Sequence, residues 1–311
     1  MFCRKSEESR AFLVIARLAV GLLSQSAMIF ARGERPGEIG ATLIGSSAAT
    51  GELREEAEFA ARLTVPVMIA GEYGVGKKRL ARLLHRRSLR CRAPFVTVNC
   101  ADLSDTQLDA RLFGDRDHFT RAGAFERADG GTAFLQDIDV LSPALQARLM
   151  QFLAAGGVQP AGMGAATRRA NVRIISSTTI PLLERLTAGG FREDLYYLLN
   201  TVYLPISPLR ERPEDVDSLL EYFTTYYARR QRLAPPRLTR EWRDLCRAYP
   251  WPANVRQLEA VAELLGGSID ACPHKVFDAA ARSLRVTPSM ADARANSRRP
   301  AVDQRQATGQ L

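Results

Sequence analysis

The chain has 311 residues and 46% hydrophobic composition, so it is long enough to bury a substantial core in one large domain or two smaller ones. Its formal charge of +9 favours an anionic partner such as a nucleic acid, a nucleotide or an acidic protein face, although solvated arginine faces explain the charge equally well. The five cysteines are odd in number and lack C-x-x-C spacing, which argues against a disulfide framework or structural metal site and favours a reducing compartment. The three histidines form no ligand cluster, and we expect them to be exposed or to cap helices.

Residues 1–38 form an N-terminal segment whose structure the sequence leaves open. Its apolar run at residues 11–30 follows basic residues, which is typical of a signal peptide. Arg17 within the run and a polar interruption at residues 24–26 argue against export or a membrane span, because a central arginine is costly in a bilayer. We therefore expect an amphipathic helix or a poorly folded stretch, no membrane association and a cytoplasmic location.

The next feature is a glycine-rich loop at residues 71–77, with the sequence GEYGVGK. It follows an apolar run at residues 67–70 and precedes a helical pattern of leucines, which is the order of strand, loop and helix in a P-loop. Glycines allow backbone N–H groups to turn towards phosphate oxygens, and the start of the helix adds a partial positive charge. Lys77 would then reach the outer phosphates. The sequence therefore predicts nucleotide binding.

Further β-rich runs follow the P-loop and alternate with helical patterns, whereas the pattern after Pro208 is helical only. The predicted strands cover residues 67–70, 95–98, 132–135, 172–176 and 201–204, and the predicted helices include 53–63, 145–153, 216–227, 238–249 and 254–265. Strands that alternate with helices predict an α/β fold with a parallel sheet flanked by helices. We expect a nucleotide-binding α/β subdomain at 39–207, a small all-helical subdomain at 208–285 and a disordered basic tail at 286–311.

Several motifs stand in a fixed order between residues 39 and 265. They are GEYGVGK at 71–77, VNC at 98–100, LFG at 112–114, FERADGGT at 125–132, FREDLYY at 191–197, PLRER at 208–212 and WPANVRQL at 251–258. With these motifs the chain closely resembles the AAA+ domain of bacterial sigma-54-dependent transcription activators, the enhancer-binding proteins. The resemblance implies an AAA+ P-loop sheet with a helical lid, ATP or ADP as the cofactor, a ring of identical or paralogous subunits, and action on RNA polymerase that carries sigma-54.

The resemblance also implies roles for individual residues. Lys77 matches the phosphate-binding lysine, and Asn99 matches the asparagine that links the nucleotide state to the catalytic glutamate. Arg192 matches the first of two arginines that a neighbouring subunit offers to the nucleotide, and Arg256 matches the lid arginine that senses the phosphates. The implied catalytic residues are Asp137 and Arg192; the implied nucleotide-binding residues are Gly71, Glu72, Gly74, Val75, Gly76, Lys77, Lys78, Asn99 and Arg256; no metal ligand is assigned.

The chain departs from the family pattern in the strand that carries the catalytic acids. Where the family has F-L-D-E-I, Gln136 replaces the magnesium-linked aspartate and Asp137 replaces the glutamate that would polarise water. A neutral amide is a poorer partner for Mg2+ than a carboxylate. The shorter side chain of Asp137 withdraws the carboxylate by roughly 1.5 Å, and a displacement of about 1 Å can lower a rate on the order of a hundredfold. If the register were slipped so that Asp137 served the metal, no general base would remain.

Three more positions of the nucleotide site depart from the pattern. Leu198 stands where the family has its second arginine, and an arginine of this kind can be worth roughly 10³–10⁵ in rate. Lys78 follows the P-loop lysine where the family usually has glutamate, and Thr179 replaces the asparagine after the fourth strand. We therefore expect nucleotide binding to be retained, Mg2+ binding to be weakened and hydrolysis to be weak or absent.

The surface that contacts sigma-54 in the family is also altered. The family's G-A-F-T-G-A loop is replaced by a shorter segment at residues 115–124, in which only Phe119 and Thr120 match. A shortened loop that still contacts sigma-54 stays open as an alternative. No helix-turn-helix pair is recognisable after Leu265, so direct DNA binding is not expected, and the basic tail is more typical of solvated disorder.

Three functions remain in view from the sequence. The one we favour is an ATP-binding transcription regulator that is impaired in hydrolysis and in direct sigma-54 contact, alone or beside an intact paralogue in a mixed ring. The second is a working AAA+ ATPase that activates sigma-54 RNA polymerase. The third is a non-catalytic ring or scaffold partner in which the nucleotide pocket is a relic.

Overall fold

A computed structural model describes residues 42–114, 122–158, 168–236 and 238–265. The predictions for residues 1–38, for residues 115–121 of the shortened loop and for the tail at 286–311 lie outside this part of the chain. Within the described ranges no helix is long and apolar enough to cross a membrane.

The described chain alternates helices and strands up to residue 205 and is helical afterwards. The helices are α1 (Ala48–Arg62), α2 (Lys77–Arg86), α3 (Asp105–Phe113), α4 (Ala124–Arg127), α5 (Pro143–Ala155), α6 (Leu182–Thr187), α7 (Glu193–Leu199), α8 (Glu214–Gln231), α9 (Arg240–Ala248) and α10 (Asn254–Leu265). The strands are β1 (Val67–Ala70), β2 (Phe95–Asn99), β3 (Thr132–Gln136), β4 (Gly157–Val158), β5 (Arg168–Arg169), β6 (Arg173–Thr178) and β7 (Val202–Pro205). Short 3₁₀ turns cover Ile138–Val140 and Leu209–Glu211.

Five of the strands form one parallel sheet in the order β2-β3-β6-β1-β7, and β4 pairs with β5 in a separate antiparallel hairpin. The P-loop strand β1 lies between β6 and β7, so that Val67 is opposite both Ile175 and Val202. Because all strands of the main sheet run in one direction, their carboxyl ends meet at one edge, where α/β proteins bind ligands. Asn99 and Gln136 are register partners at this edge.

Helices cover both faces of the sheet, as the near-continuous apolar strands require. One face buries α1 and α2 through residues such as Leu53, Leu80 and Leu84. The opposite face buries α3, α4, α5 and α7 through residues such as Phe125 and Leu149. The predicted α/β fold with a parallel sheet and flanking helices is therefore confirmed.

Helices α8, α9 and α10 form a smaller helical lid around Trp251, Phe223 and Leu258. A polar network at its base joins the lid to α1. The carboxylate of Asp215, which is fully buried, accepts hydrogen bonds from the Ser47 N–H (2.7 Å) and the Thr50 hydroxyl. The lid helices lie where the sequence places them, whereas the subdomain boundary at residue 285 is outside the described chain and stays a prediction.

The prediction of an exposed or capping role was wrong for His85. Its side chain is buried between α2 and the sheet, where the imidazole Nδ1 lies 2.9 Å from the Thr132 hydroxyl and the ring lies 5.1 Å from that of Phe95. The reason is periodicity, since His85 shares the buried face of α2 with Ala81 and Leu84. His118 and His274 lie outside the described residues.

A candidate nucleotide site at the carboxyl edge of the sheet

The P-loop connects β1 to α2 through glycines that take up left-handed backbone angles. Gly74 has φ 79° and Gly76 has φ 110°, values that favour glycine because it has no Cβ. Gly74 also lies against the lid, where an added Cβ would come within 2.1 Å of the Ala253 carbonyl oxygen. The loop is thus held in a tight turn directly before the first residue of α2, the arrangement that presents backbone N–H groups to phosphate.

Lys77 begins α2 and is largely buried beneath this loop. Its Nζ donates hydrogen bonds to the Gly71 carbonyl (2.7 Å) and to the Thr179 hydroxyl (2.6 Å), and it lies 3.7 Å from the Asp137 carboxylate. Burial lowers the pKa of Lys77, and the charges of Asp137 and Asp139 oppose that shift. The ammonium group therefore sits among oxygen atoms at the edge where the strands end.

Asp137 and Thr179 complete this polar cluster. Asp137 follows β3 in a left-handed conformation, with φ 53°, which is uncommon for a residue with a side chain. Its carboxylate accepts a hydrogen bond from the Thr179 hydroxyl (3.0 Å), so Thr179 bridges Asp137 and Lys77. The sequence identified Thr179 only as a departure from the family, and its bridging position became visible in the structure.

The start of α2 carries three cations and no acid in its first turn, namely Lys77, Lys78 and Arg79. The positive end of the helix dipole disfavours cations there and favours a bound anion. Lys78 is exposed, and Arg79 lies over the ring of Phe223 in the lid, with Cζ 5.3 Å from the ring centroid. This charge pattern suits a phosphate group better than an unliganded helix.

The side chain of Glu72 contacts residues of the lid. Its carboxylate accepts two hydrogen bonds from the Arg210 guanidinium, at 2.6 and 2.8 Å, and this ion pair holds the pKa of Glu72 below its ordinary value. The Asn254 side-chain amide donates to the same carboxylate (3.2 Å) and to the Tyr73 carbonyl (2.9 Å). Sequence reasoning assigned no role to Arg210 or Asn254, although both stand in motifs it identified. The adjacent Val75 is buried.

The remaining predicted residues Asn99, Arg256 and Arg192 each have their own contacts in the structure. Asn99 ends β2, and its carboxamide oxygen accepts a hydrogen bond from the Ala101 N–H (3.2 Å). The Arg256 guanidinium lies over the Tyr73 ring, with Cζ 5.7 Å from the centroid, and its backbone N–H donates to the Gly74 carbonyl (3.2 Å). Arg192 is exposed at the start of α7 and pairs with Asp194 (2.7 Å), which raises the pKa of the arginine. Arg192 is therefore not brought to the P-loop of its own chain.

The edge of the sheet is poor in groups that could bind a metal ion. The described residues contain no group of three His, Cys, Asp or Glu side chains that could hold a metal ion. At the edge of the sheet, Gln136 offers an amide, and the Asp137 carboxylate is already engaged by Thr179 and lies near Lys77.

Comparison with protein families and known proteins agrees with this geometry. Residues 43–205 match the sigma-54 interaction domain, and residues 210–266 match the AAA+ ATPase lid domain. The nitric oxide reductase transcription regulator NorR2 of Cupriavidus necator is 43% identical over 231 residues, which cover 72% of this chain and 44% of that protein. The transcriptional regulatory protein ZraR of Klebsiella oxytoca is 41% identical over 227 residues, which cover 71% of this chain and 51% of that protein. The chain thus spans about half the length of the curated relatives that it matches.

Solved structures show the same likeness. NtrX from Brucella abortus in complex with ADP is 29% identical, has a TM-score of 0.70 and is matched over 93% of this chain and 64% of that chain. The complex of the same protein with ATP is 30% identical, with a TM-score of 0.70 over 93% of this chain and 67% of that chain.

Proposed function

The chain belongs to the sigma-54 interaction domain family, and on this premise we propose that it is an ATP- or ADP-binding transcription regulator with weak or absent ATP hydrolysis. The observation that carries the proposal is the P-loop itself. Its glycines take up left-handed angles, its lysine lies beneath the loop, and a cationic helix start faces the same edge of the sheet. The similar NtrX structures contain ADP and ATP, which supports a nucleotide as the ligand.

The chemistry around Asp137 supports impaired hydrolysis. Asp137 stands where the family has its catalytic glutamate, and its hydrogen bond with Thr179 and its proximity to Lys77 leave it poorly placed to polarise a water molecule. Leu198 supplies no second arginine to a neighbouring subunit. A site of this kind binds its nucleotide and turns it over slowly.

The donor set also supports weakened Mg2+ binding. Mg2+ is usually held through one or two carboxylates and the phosphates of the nucleotide, and here Gln136 offers a neutral amide in place of a carboxylate. The residues present do not fit the ion well, and no catalytic step is assigned to it.

The partners follow from the family and are proposed for this chain. We propose that it assembles with copies of itself or with paralogous AAA+ subunits, and exposed Arg192 is the residue that would reach a neighbour's nucleotide. In this proposal, contact with sigma-54 RNA polymerase depends on the segment 115–124, of which residues 115–121 lie outside the described chain. The absence of direct DNA binding and a cytoplasmic location stay predictions from the sequence.

A binding and turnover experiment tests the proposal. ADP and ATP affinities are measured by calorimetry, and phosphate release is measured on the same samples, for the wild type, Lys77→Ala and Arg86→Ala. Arg86 is exposed at the far end of α2 and serves as the matched control. We expect the wild type and Arg86→Ala to bind nucleotide with little turnover, and Lys77→Ala to lose binding. Clear turnover by the wild type that is lost in Lys77→Ala would instead show that the protein is a working ATPase. If the wild type binds no nucleotide, only the hypothesis of a non-catalytic scaffold partner remains.

A restoration experiment tests the cause of the weak turnover. The double variant Gln136→Asp with Asp137→Glu recreates the acids of the family pattern, and we expect it to gain Mg2+-dependent turnover over the wild type. A variant that binds ATP but gains no turnover would contradict the assignment of the defect to this strand.

A further inference from the structure

Glu72 in the P-loop is hydrogen-bonded to Arg210 and Asn254 in the lid. We call these three residues the latch. The two terminal nitrogen atoms of the Arg210 guanidinium, Nη2 and Nη1, each donate to a different oxygen of Glu72, at 2.6 and 2.8 Å. Paired hydrogen bonds of this kind fix direction as well as distance, because both groups are planar. The third member, Asn254, donates from its amide nitrogen to Glu72 (3.2 Å).

The lid end of the latch is a buried side-chain amide that is hydrogen-bonded through both its oxygen and its nitrogen. Asn254 is fully buried at the start of α10 and has φ 52°, a left-handed conformation. Its amide oxygen accepts a hydrogen bond from the Leu209 N–H (2.8 Å), and its amide nitrogen also donates to the Tyr73 carbonyl (2.9 Å). Because both ends of this amide are used, Asn254 connects the backbone at Leu209 directly to the P-loop residues Glu72 and Tyr73.

At its P-loop end, the latch lies next to the backbone carbonyls that bind the side chain of Lys77. The Lys77 Nζ donates to the Gly71 carbonyl (2.7 Å) and, at 3.5 Å, to the carbonyl of Glu72 itself. The residue whose side chain the latch holds therefore also contributes a backbone carbonyl that binds Lys77. The Gly74 carbonyl, which accepts from the Arg256 N–H (3.2 Å), ties the far side of the loop to the lid as well.

We propose that Glu72 is a positioning residue through which the lid sets the affinity of the Lys77 site for nucleotide phosphates. This proposal rests on the proposed nucleotide binding and reassigns Glu72 from direct contact with the nucleotide to control of the loop that makes that contact. The physical basis is preorganisation, because a loop that is already held in its binding shape loses less conformational freedom when the ligand arrives. Breaking the latch therefore weakens binding.

A charge-exchange experiment tests this role in the full chain with ADP as the probe. We compare the wild type, Glu72→Arg, Arg210→Glu and the double variant that carries both changes. Each single change is expected to weaken ADP binding by about fivefold, the effect of losing a partly exposed ion pair together with the loop order that depends on it. The exchanged pair in the double variant is expected to restore the dissociation constant to within about twofold of the wild type, because the ion pair is remade with reversed sign.

The controls separate positioning from general stability. Arg247→Glu breaks an ion pair with Asp217, another partly exposed pair, but within the lid and away from the P-loop. It is expected to leave ADP binding unchanged. Thermal melting of every variant identifies any that is unfolded, and Glu72→Gln, which keeps the shape of the side chain, serves if Glu72→Arg does not fold. At 1 M salt, where screening acts over about 3 Å, the difference between Glu72→Gln and the wild type is expected to shrink.

The ADP dissociation constants of these variants either support or overturn the positioning role of Glu72. Weaker binding in both single variants, recovery in the double variant and no effect of Arg247→Glu support the proposal. Single variants that bind ADP as tightly as the wild type or more tightly overturn it, as does a loss that the exchanged pair fails to recover or that Arg247→Glu shares. A wild-type protein that binds no ADP overturns the proposed function first and the latch with it, whereas normal wild-type binding with unaffected variants overturns the latch alone.

Discussion

Replacement of Asp215 by alanine tests the polar network that joins the lid to α1. The fully buried carboxylate accepts hydrogen bonds from the Ser47 N–H, the Thr50 hydroxyl and, at 3.3 Å, the Arg212 guanidinium. Arg212 is itself buried, burial lowers its pKa while Asp215 raises it, and its Nε already lacks a hydrogen-bond partner. Asp215→Ala would thus leave a buried guanidinium without its counterion.

The magnitude follows from the burial of both partners. Removal of one member of a buried ion pair costs about 3–5 kcal/mol, because the remaining charge stays desolvated. For a protein of this size that loss lowers the melting temperature by about 10 °C. Asp217→Ala, two residues further along the same helix, breaks a partly exposed pair with Arg247 and is expected to cost about 0–1 kcal/mol.

Urea unfolding followed by circular dichroism measures both variants against the wild type, with the transition checked for a single cooperative step. A loss for Asp215→Ala that falls within about 1 kcal/mol of that for Asp217→Ala would refute the reasoning, since it would mean that the buried charge is stabilised by other groups. The double variant Asp215→Leu with Arg212→Met removes both charges and is expected to be less costly than Asp215→Ala alone.

Two further predictions concern His85 and the P-loop glycine. Burial lowers the pKa of His85 below 6.5, and Arg173 and Arg86 act in the same direction, so the unfolded chain binds the proton more readily than the folded protein. The free energy of unfolding is therefore expected to fall as the pH drops through 6.5. Unfolding curves measured between pH 5 and 8 give this free energy at each pH, and its change with pH is expected to be smaller for His85→Gln than for the wild type. An equal change with pH in the two proteins would rule this out. Gly74→Ala is expected to abolish ADP binding and to lower the melting temperature, because the added Cβ would lie 2.1 Å from the Ala253 carbonyl oxygen. Gly51→Ala is the control within α1, where the added Cβ meets nothing within 4 Å, and it is expected to stabilise the protein by about 0.5–1 kcal/mol. Equal melting temperatures of the two glycine variants would contradict this contrast.

The sequence was sufficient for those parts of the fold that depend on local pattern. Apolar β-rich runs located the five strands of the main sheet to within about two residues, and leucine periodicity located α2 and the lid helices. The glycine pattern placed Lys77 at the start of its helix. The same approach missed α3, α6 and the β4–β5 hairpin, whose short and mixed segments carry little periodicity.

Contacts between distant parts of the chain were beyond the reach of the sequence. The hydrogen bond from Asn254 to the Tyr73 carbonyl joins residues that are 181 positions apart, and no local pattern predicts it. The bridge from Lys77 through Thr179 to Asp137 likewise depends on β1 lying between β6 and β7. Resemblance to a family supplied the roles of Glu72 and Arg256, but not the direction in which the Glu72 carboxylate points.

The contact of the P-loop with the start of α10 has a consequence for the order in which the protein folds during its synthesis. A ribosome makes Gly71 long before it makes Asn254, so the emerging chain carries its glycine loop without the amide that binds Tyr73 and Glu72. The sheet has its five strands once residue 205 has emerged, yet the loop at its edge acquires its last partners only with residues 253–256. The P-loop is therefore synthesised early, and its contacts with α10 form only after most of the described chain has been made.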